Sequence, residues 1–88
     1  MTYTVVVLRE NDGRYSALVP ALSGCATWGE TLPEALRMVE EAILAYRDGM
    51  EALGEPMPAD VAKVEFDLGD AAEASVYRVA VAEEAVLA

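Results

Sequence analysis

Between Thr31 and Gly54 the chain carries the pattern of one long helix, and its single apolar stripe constrains everything around it. Thr31-Leu32-Pro33-Glu34 has the form of a capping box. Thr31 serves as N-cap, Glu34 reaches back to its amide, and Pro33 sits in a first turn whose amides have no helical partners. Leu32, Ala35, Leu36, Val39, Ala42, Ile43, Tyr46, Met50 and Leu53 then recur on one side at helical spacing. Glu34, Arg37, Glu41, Asp48 and Glu51 occupy the other side. Gly54 is a natural terminator, and Pro56 and Pro58 block continuation. A helix of this kind needs a flat apolar surface to lie on, which calls for a sheet.

The residues for that sheet lie on both sides of the helix. Residues 3–8 are β-branched and aromatic, with no helical period. Asp12-Gly13, preceded by Asn11, predicts a hairpin turn with positive φ angles. Residues 14–19 return as a second strand, with Tyr15, Ala17 and Val19 on one face and Ser16 and Leu18 on the other. Pro20 cannot donate to a ladder, so it ends that strand or lies at an edge. Ser23-Gly24 permits a bend into a short third strand over residues 25–28. After the helix, residues 63–68 alternate without a fault and predict a strand with one wet face, broken by Gly69-Asp70. Residues 75–81 predict an extra strand with Tyr77, Val79 and Val81 inward, and residues 83–88 either fray or form a last helical turn. The expected fold class is α+β, a two-layer β-β-β-α-β(-β) sandwich in which one helix packs on an antiparallel meander. One domain over residues 1–88 is expected, with its core at 1–69 and an extra strand and tail at 70–88.

Charge narrows the choice of function. The formal net charge is −10, unevenly spread. Arg9 and Arg14 balance Glu10 and Asp12 in the first third, whereas residues 30–60 hold eight acids against Arg37 and Arg47, a net of −6. Affinity for DNA or RNA rests largely on Lys and Arg, so direct nucleic-acid binding is not expected. A concentrated negative face favours a basic protein instead. The hydrophobic fraction of 55% is high for a chain that can build one modest core, so a second copy or a partner is expected to cover some of it, which predicts a homo-oligomer. No apolar run approaches the roughly 20 residues of a membrane span. Met1-Thr2-Tyr3 lacks the basic start of a signal peptide, and the lone Cys25 fits a reducing, cytoplasmic setting.

Candidate chemistry is sparse. Cys25 has neither a histidine nor a second cysteine in the chain to activate it or to share a metal, and a small buried residue is its plainer reading. Glu65 and Asp67 alternate with apolar residues, which puts them on a wet face and not in a metal cluster. Trp28, Tyr3, Tyr15 and Tyr77 lack the accompanying cations that base-stacking surfaces carry. No enzyme activity, cofactor or metal is expected. Trp28, just ahead of the helix cap, is the candidate anchor for a partner, its alternative being packing under the first helical turn. Glu34, Glu41, Asp48 and Glu51 are the candidate acidic contact face, their alternative being a solvated surface.

The ordered combination of Tyr3 to Leu8, Asp12-Gly13, Tyr15, Val19-Pro20, Leu22, Gly24-Cys25, Thr27, Gly29, Thr31, Glu34-Ala35, Ala42 and Tyr46 resembles the HicB-like antitoxin family. Glu55-Pro56-Met57-Pro58 is similar to the segment that follows the helix in that family. The resemblance implies a partial ribonuclease-H-like fold and a type II antitoxin that binds and neutralises a small basic ribonuclease toxin of the HicA kind. It also implies a short stand-alone member without the family's C-terminal DNA-binding domain. The alternative is a stand-alone HicB-like adaptor or small-ligand-binding protein with no toxin. Under the first reading the mechanism is steric occlusion aided by charge, with the oligomer formed through the edge of the final strand.

Overall fold

In the computed structural model, which describes residues 1–82, the helix lies on one face of a four-stranded antiparallel sheet. The elements run β1 (Thr2–Arg9), β2 (Tyr15–Leu18), β3 (Ala26–Gly29), α1 (Leu32–Ala52) and β4 (Glu73–Ala80), and the spatial order is β3-β2-β1-β4. This is the expected α+β sandwich. Residues 83–88, for which fraying or a last turn was the expectation, lie outside the described residues.

The inner face of the sheet follows the alternation of the sequence. Tyr3, Val5 and Val7 of β1, Ala17 of β2 and Val79 of β4 form one buried cluster with Val39 and Ile43 of α1, joined by Val19, Leu22, Cys25 and Val81. Within the helix the fully buried line is Ala35, Val39 and Ile43. The predicted stripe is wider than that line. Leu32, Leu36, Ala42 and Tyr46 pack at its margins, and Leu53, at the C-cap, is 74% exposed. Thr31 is the N-cap as expected, its Oγ1 accepting the Glu34 N–H at 3.2 Å. The Glu34 carboxylate reaches one residue farther back than expected and accepts the N–H of Glu30.

Gly29 sets how closely the helix approaches the sheet. It is buried on the inner face, opposite Tyr15 in the β2–β3 register. A Cβ there would stand 2.6 Å from the Ala35 backbone nitrogen and 2.9 Å from its Cα. Only a residue without a side chain admits α1 at this distance.

The hairpin closes differently from the expected two-residue turn. Gly13 alone has a positive φ, at 91°, and Asp12 does not share it. The Gly13 N–H donates to Glu10 O at 3.0 Å and the Glu10 N–H to Arg14 O at 2.8 Å, so a longer loop carries the reversal. Asp12 is free to act through its side chain, which accepts the Arg14 N–H at 3.0 Å.

Residues 63–68 are not a strand. Met1 and Val81 exchange backbone hydrogen bonds, so the odd residues of β1 turn their polar groups to β4 and the even ones to β2. The Thr4 N–H therefore faces the β2 side, beyond the point where β2 ends at the Val6↔Leu18 pair. It donates there to Asp60 at 3.0 Å, and Thr4 Oγ1 donates to the other Asp60 oxygen at 2.8 Å. Ten residues on, the Asp70 carbonyl accepts from the Asn11 side chain, and β4 then runs back along the opposite side of β1. The chain between runs from the Thr4 end of β1 to its hairpin end. Val6 points to the face remote from α1 and is 0% exposed, outside the inner cluster. The alternation of this segment is one of sequence alone: Phe66 and Leu68 are 44% and 42% exposed, and the segment makes no strand. The edge of β1 that it would need belongs to β4, paired residue for residue from Thr2↔Ala80 to Arg9↔Glu73. The strand expected as an extra is thus integral to the sheet, and its Val79 and Val81 enter the core with Tyr77 packed against it, the three residues expected to face inward.

Candidate functional site

β3 is an edge strand of four residues, and its alternation puts Thr27 and Gly29 toward the helix and Trp28 away from it. Trp28 is 52% exposed, opposite Ser16 on the face remote from α1. It does not pack under the first helical turn. Arg14 lies over its ring, the guanidinium carbon 5.1 Å from the centroid, a distance at which the cation is attracted to the aromatic face. Asp12 holds Arg14 in place at 2.8 Å. Hydrogen bonds from the Arg14 backbone and guanidinium keep the Asp12 carboxyl below its ordinary pKa.

The acidic residues of α1 lie on the other side of the molecule. Glu41, Asp48 and Glu51 are exposed on the helix surface turned away from the buried Ala35–Val39–Ile43 line. Glu34 is half-buried and spends its carboxylate on the Glu30 amide, with Arg37 at 4.0 Å. The structure therefore gathers Glu41, Asp48 and Glu51 on one face and separates them from Trp28 by the thickness of helix and sheet.

The cations of the chain are largely spoken for. Arg9 pairs with Glu73 at 2.8 Å, Arg14 with Asp12, Arg37 with Glu34, Arg47 with Asp48 at 3.4 Å and Arg78 with Asp60 at 3.9 Å. What remains for a partner to meet on α1 is mostly carboxylate.

Two other features bear on chemistry. A shallow cleft of about 220 Å³ opens on the inner face where α1 leaves the sheet uncovered, lined by Val7, Tyr15, Leu32, Ser75 and Tyr77 and by the Arg9–Glu73 pair. Ligand pockets run to roughly 300–1,000 Å³. Cys25 is buried, its N–H donating to Leu22 O at 2.9 Å and its carbonyl accepting from Val19 at 3.0 Å. Burial pushes its thiol pKa up, the opposite of an activated nucleophile. Among the described residues no three His, Cys, Asp or Glu side chains converge as metal ligands, and no helix is long and apolar enough to cross a membrane.

Asp60 was missed in the sequence. It reads there as one more acid between prolines and the next alternating run, and nothing local marks it as the partner of Thr4.

Relatives place this arrangement. A UPF0150 protein of Thermoplasma acidophilum is 44% identical over 63 residues, spanning 72% of this chain and 91% of that protein. The crystal structure of the N-terminal domain of Burkholderia pseudomallei antitoxin HicB matches with a TM-score of 0.69 at 26% identity, over 93% of this chain and 99% of that domain. A chain of the HicA3 and HicB3 toxin-antitoxin complex shares the fold, with a TM-score of 0.56 at 24% identity over 67% of each chain. Residues 3–85 match the family described as the HicB_like antitoxin of bacterial toxin-antitoxin systems, and the chain belongs to that family.

Proposed function

We propose that this chain neutralises a small basic ribonuclease toxin of the HicA kind by covering it with the outer face of α1. The observation that carries the reading is the exposed set Glu41, Asp48 and Glu51 in a chain whose arginines are each within 4.0 Å of a carboxylate. Such a face attracts a cationic surface and speeds encounter with it. Membership of an antitoxin family, and the HicA3–HicB3 complex that shares the fold, support a toxin as the partner. Blocking is steric: this chain supplies no chemistry and the ribonuclease loses access to its RNA. The adaptor or small-ligand reading has less support, since the cleft on the inner face is small, open and crossed by an ion pair.

Trp28 serves as a second and separate contact if the partner wraps the β3 edge, because no flat surface touches it and Asp48 together. The charge claim is tested by titrating the triple variant Glu41→Lys/Asp48→Lys/Glu51→Lys against a small basic ribonuclease of the HicA kind. Affinity falls at least about tenfold at low salt, equal to about 1.4 kcal/mol, and the deficit shrinks as salt screens the face. Unchanged affinity at low salt moves the contact off α1.

A further inference from the structure

Residues 63–68 carry the pattern of a strand to which the fold gives no neighbour. Lys63, Glu65 and Asp67 alternate with Val64, Phe66 and Leu68, and both Phe66 and Leu68 are left exposed to water. Among the described residues, no backbone N–H of residues 63–68 donates a hydrogen bond. Of their carbonyls only that of Leu68 accepts one, from the Ala71 N–H at 3.1 Å. Neither helix nor turn runs through residues 64–68. Both ends of the run are nevertheless tied to the sheet. Asp60 accepts the Thr4 N–H at 3.0 Å and the Thr4 hydroxyl at 2.8 Å. The Asp70 carbonyl accepts from the Asn11 side chain, and the Ala72 N–H donates to Arg9 O at 2.7 Å. Holding both ends lowers the ordering cost of straightening the chain between them. Such a run, with its donors and acceptors free, is a template for an added strand.

We propose that residues 63–68 become a strand by pairing with an extended strand of the basic partner, one in which Lys or Arg alternates with apolar residues. The inference rests on the reading of that partner as a cationic ribonuclease. The side chains of the run select the occupant, because residues opposite each other in a strand pair lie on the same face. Val64, Phe66 and Leu68 call for apolar residues across from them. Glu65 and Asp67 pair with no Lys or Arg among the described residues, and they call for cations. Asp67 gives one oxygen to the Gly69 N–H at 2.9 Å and keeps the other. A second copy of the chain fits poorly, since pairing residues 64–68 with themselves sets each Glu65 against an Asp67. Main-chain hydrogen bonds then supply affinity, and the alternation of acid and apolar residue supplies the choice of strand.

Residue-resolved amide exchange of the full chain, alone and with a small basic ribonuclease of the HicA kind, tests the pairing. In the free chain the amides of residues 63–68 exchange near open-chain rates. In the complex every second one slows by at least about a hundredfold, because N–H groups alternate sides along a strand. Phe66→Lys sets a cation against the cationic strand and weakens the complex by at least about tenfold. The variant keeps the far-ultraviolet circular dichroism of the wild type, since Phe66 is exposed. A complex in which all six amides stay fast, or slow together without alternation, overturns the proposal and leaves the ribonuclease reading standing. Wild-type affinity in Phe66→Lys does the same. A wild type that forms no complex overturns both.

Discussion

Gly29→Val is expected to cost about 3 kcal/mol or more, enough to leave the chain largely unfolded at elevated temperature. The Cβ alone would meet the Ala35 nitrogen at 2.6 Å, its Cα at 2.9 Å and the Glu34 carbonyl carbon at 3.0 Å. All three are backbone atoms in the first turns of α1, so no side chain can rotate away. Relief requires the helix to lift from β3, which opens the contacts of Val39 and Ile43 with the sheet. A domain of this size holds only several kcal/mol in total. The melting temperature falls by on the order of 15 °C in a thermal scan. Gly49→Ala supplies the contrast, since a Cβ there meets nothing within 4 Å and the residue is inside the helix. That change raises stability by roughly 0.5–1 kcal/mol. Equal and small effects at the two glycines would contradict the packing described.

Asp60→Ala is the second large effect, expected at about 3 kcal/mol. Thr4 is 5% exposed and gives both its N–H and its hydroxyl to Asp60. Removing the carboxylate strands two buried donors and unties the segment after α1 from β1. The same contact governs acid sensitivity. Partial burial by itself raises the Asp60 pKa, but the Thr4 hydrogen bonds and the nearby Arg78 outweigh it and hold the carboxyl below its ordinary value of 3.8. A depressed folded value means that the stabilisation is complete above the unfolded pKa and is lost as pH falls through the folded one. Urea titrations should therefore show the wild-type advantage over Asp60→Asn at neutral pH and its loss in strong acid. An advantage that persists undiminished in strong acid would contradict the ionised clasp.

How much of this was legible beforehand differs by element. The helix was plain because its cap, its stripe and its stop are local signals, and Thr31, Val39 and Gly54 carry them without reference to the rest of the fold. β1 and β4 were legible as strands, but which of two alternating runs would take the edge of β1 was not. Residues 63–68 have the more regular alternation, yet alternation in sequence says nothing of ladder bonds. The face of Trp28 depended on the register of β2 with β3, which pairs it with Ser16 and joins residues in different elements. The acids Glu41, Asp48 and Glu51 were readable as a helix face from spacing alone. Glu34 was readable in two roles at once, cap and surface acid, and the structure gives its carboxylate to the cap. Asp60 and Thr4, 56 residues apart, have no signature outside the folded chain.

The central claim is that the anionic face of α1 exists to cover a cationic ribonuclease. Its most direct measurement is the RNA-cleaving activity of a small basic ribonuclease of the HicA kind, titrated with the wild-type chain and with Glu41→Lys/Asp48→Lys/Glu51→Lys at low salt, both shown by circular dichroism to be folded. The account predicts that cleavage falls to background near equimolar wild type and persists with the triple variant. Full cleavage in excess wild type, or equal inhibition by the triple variant, would contradict it.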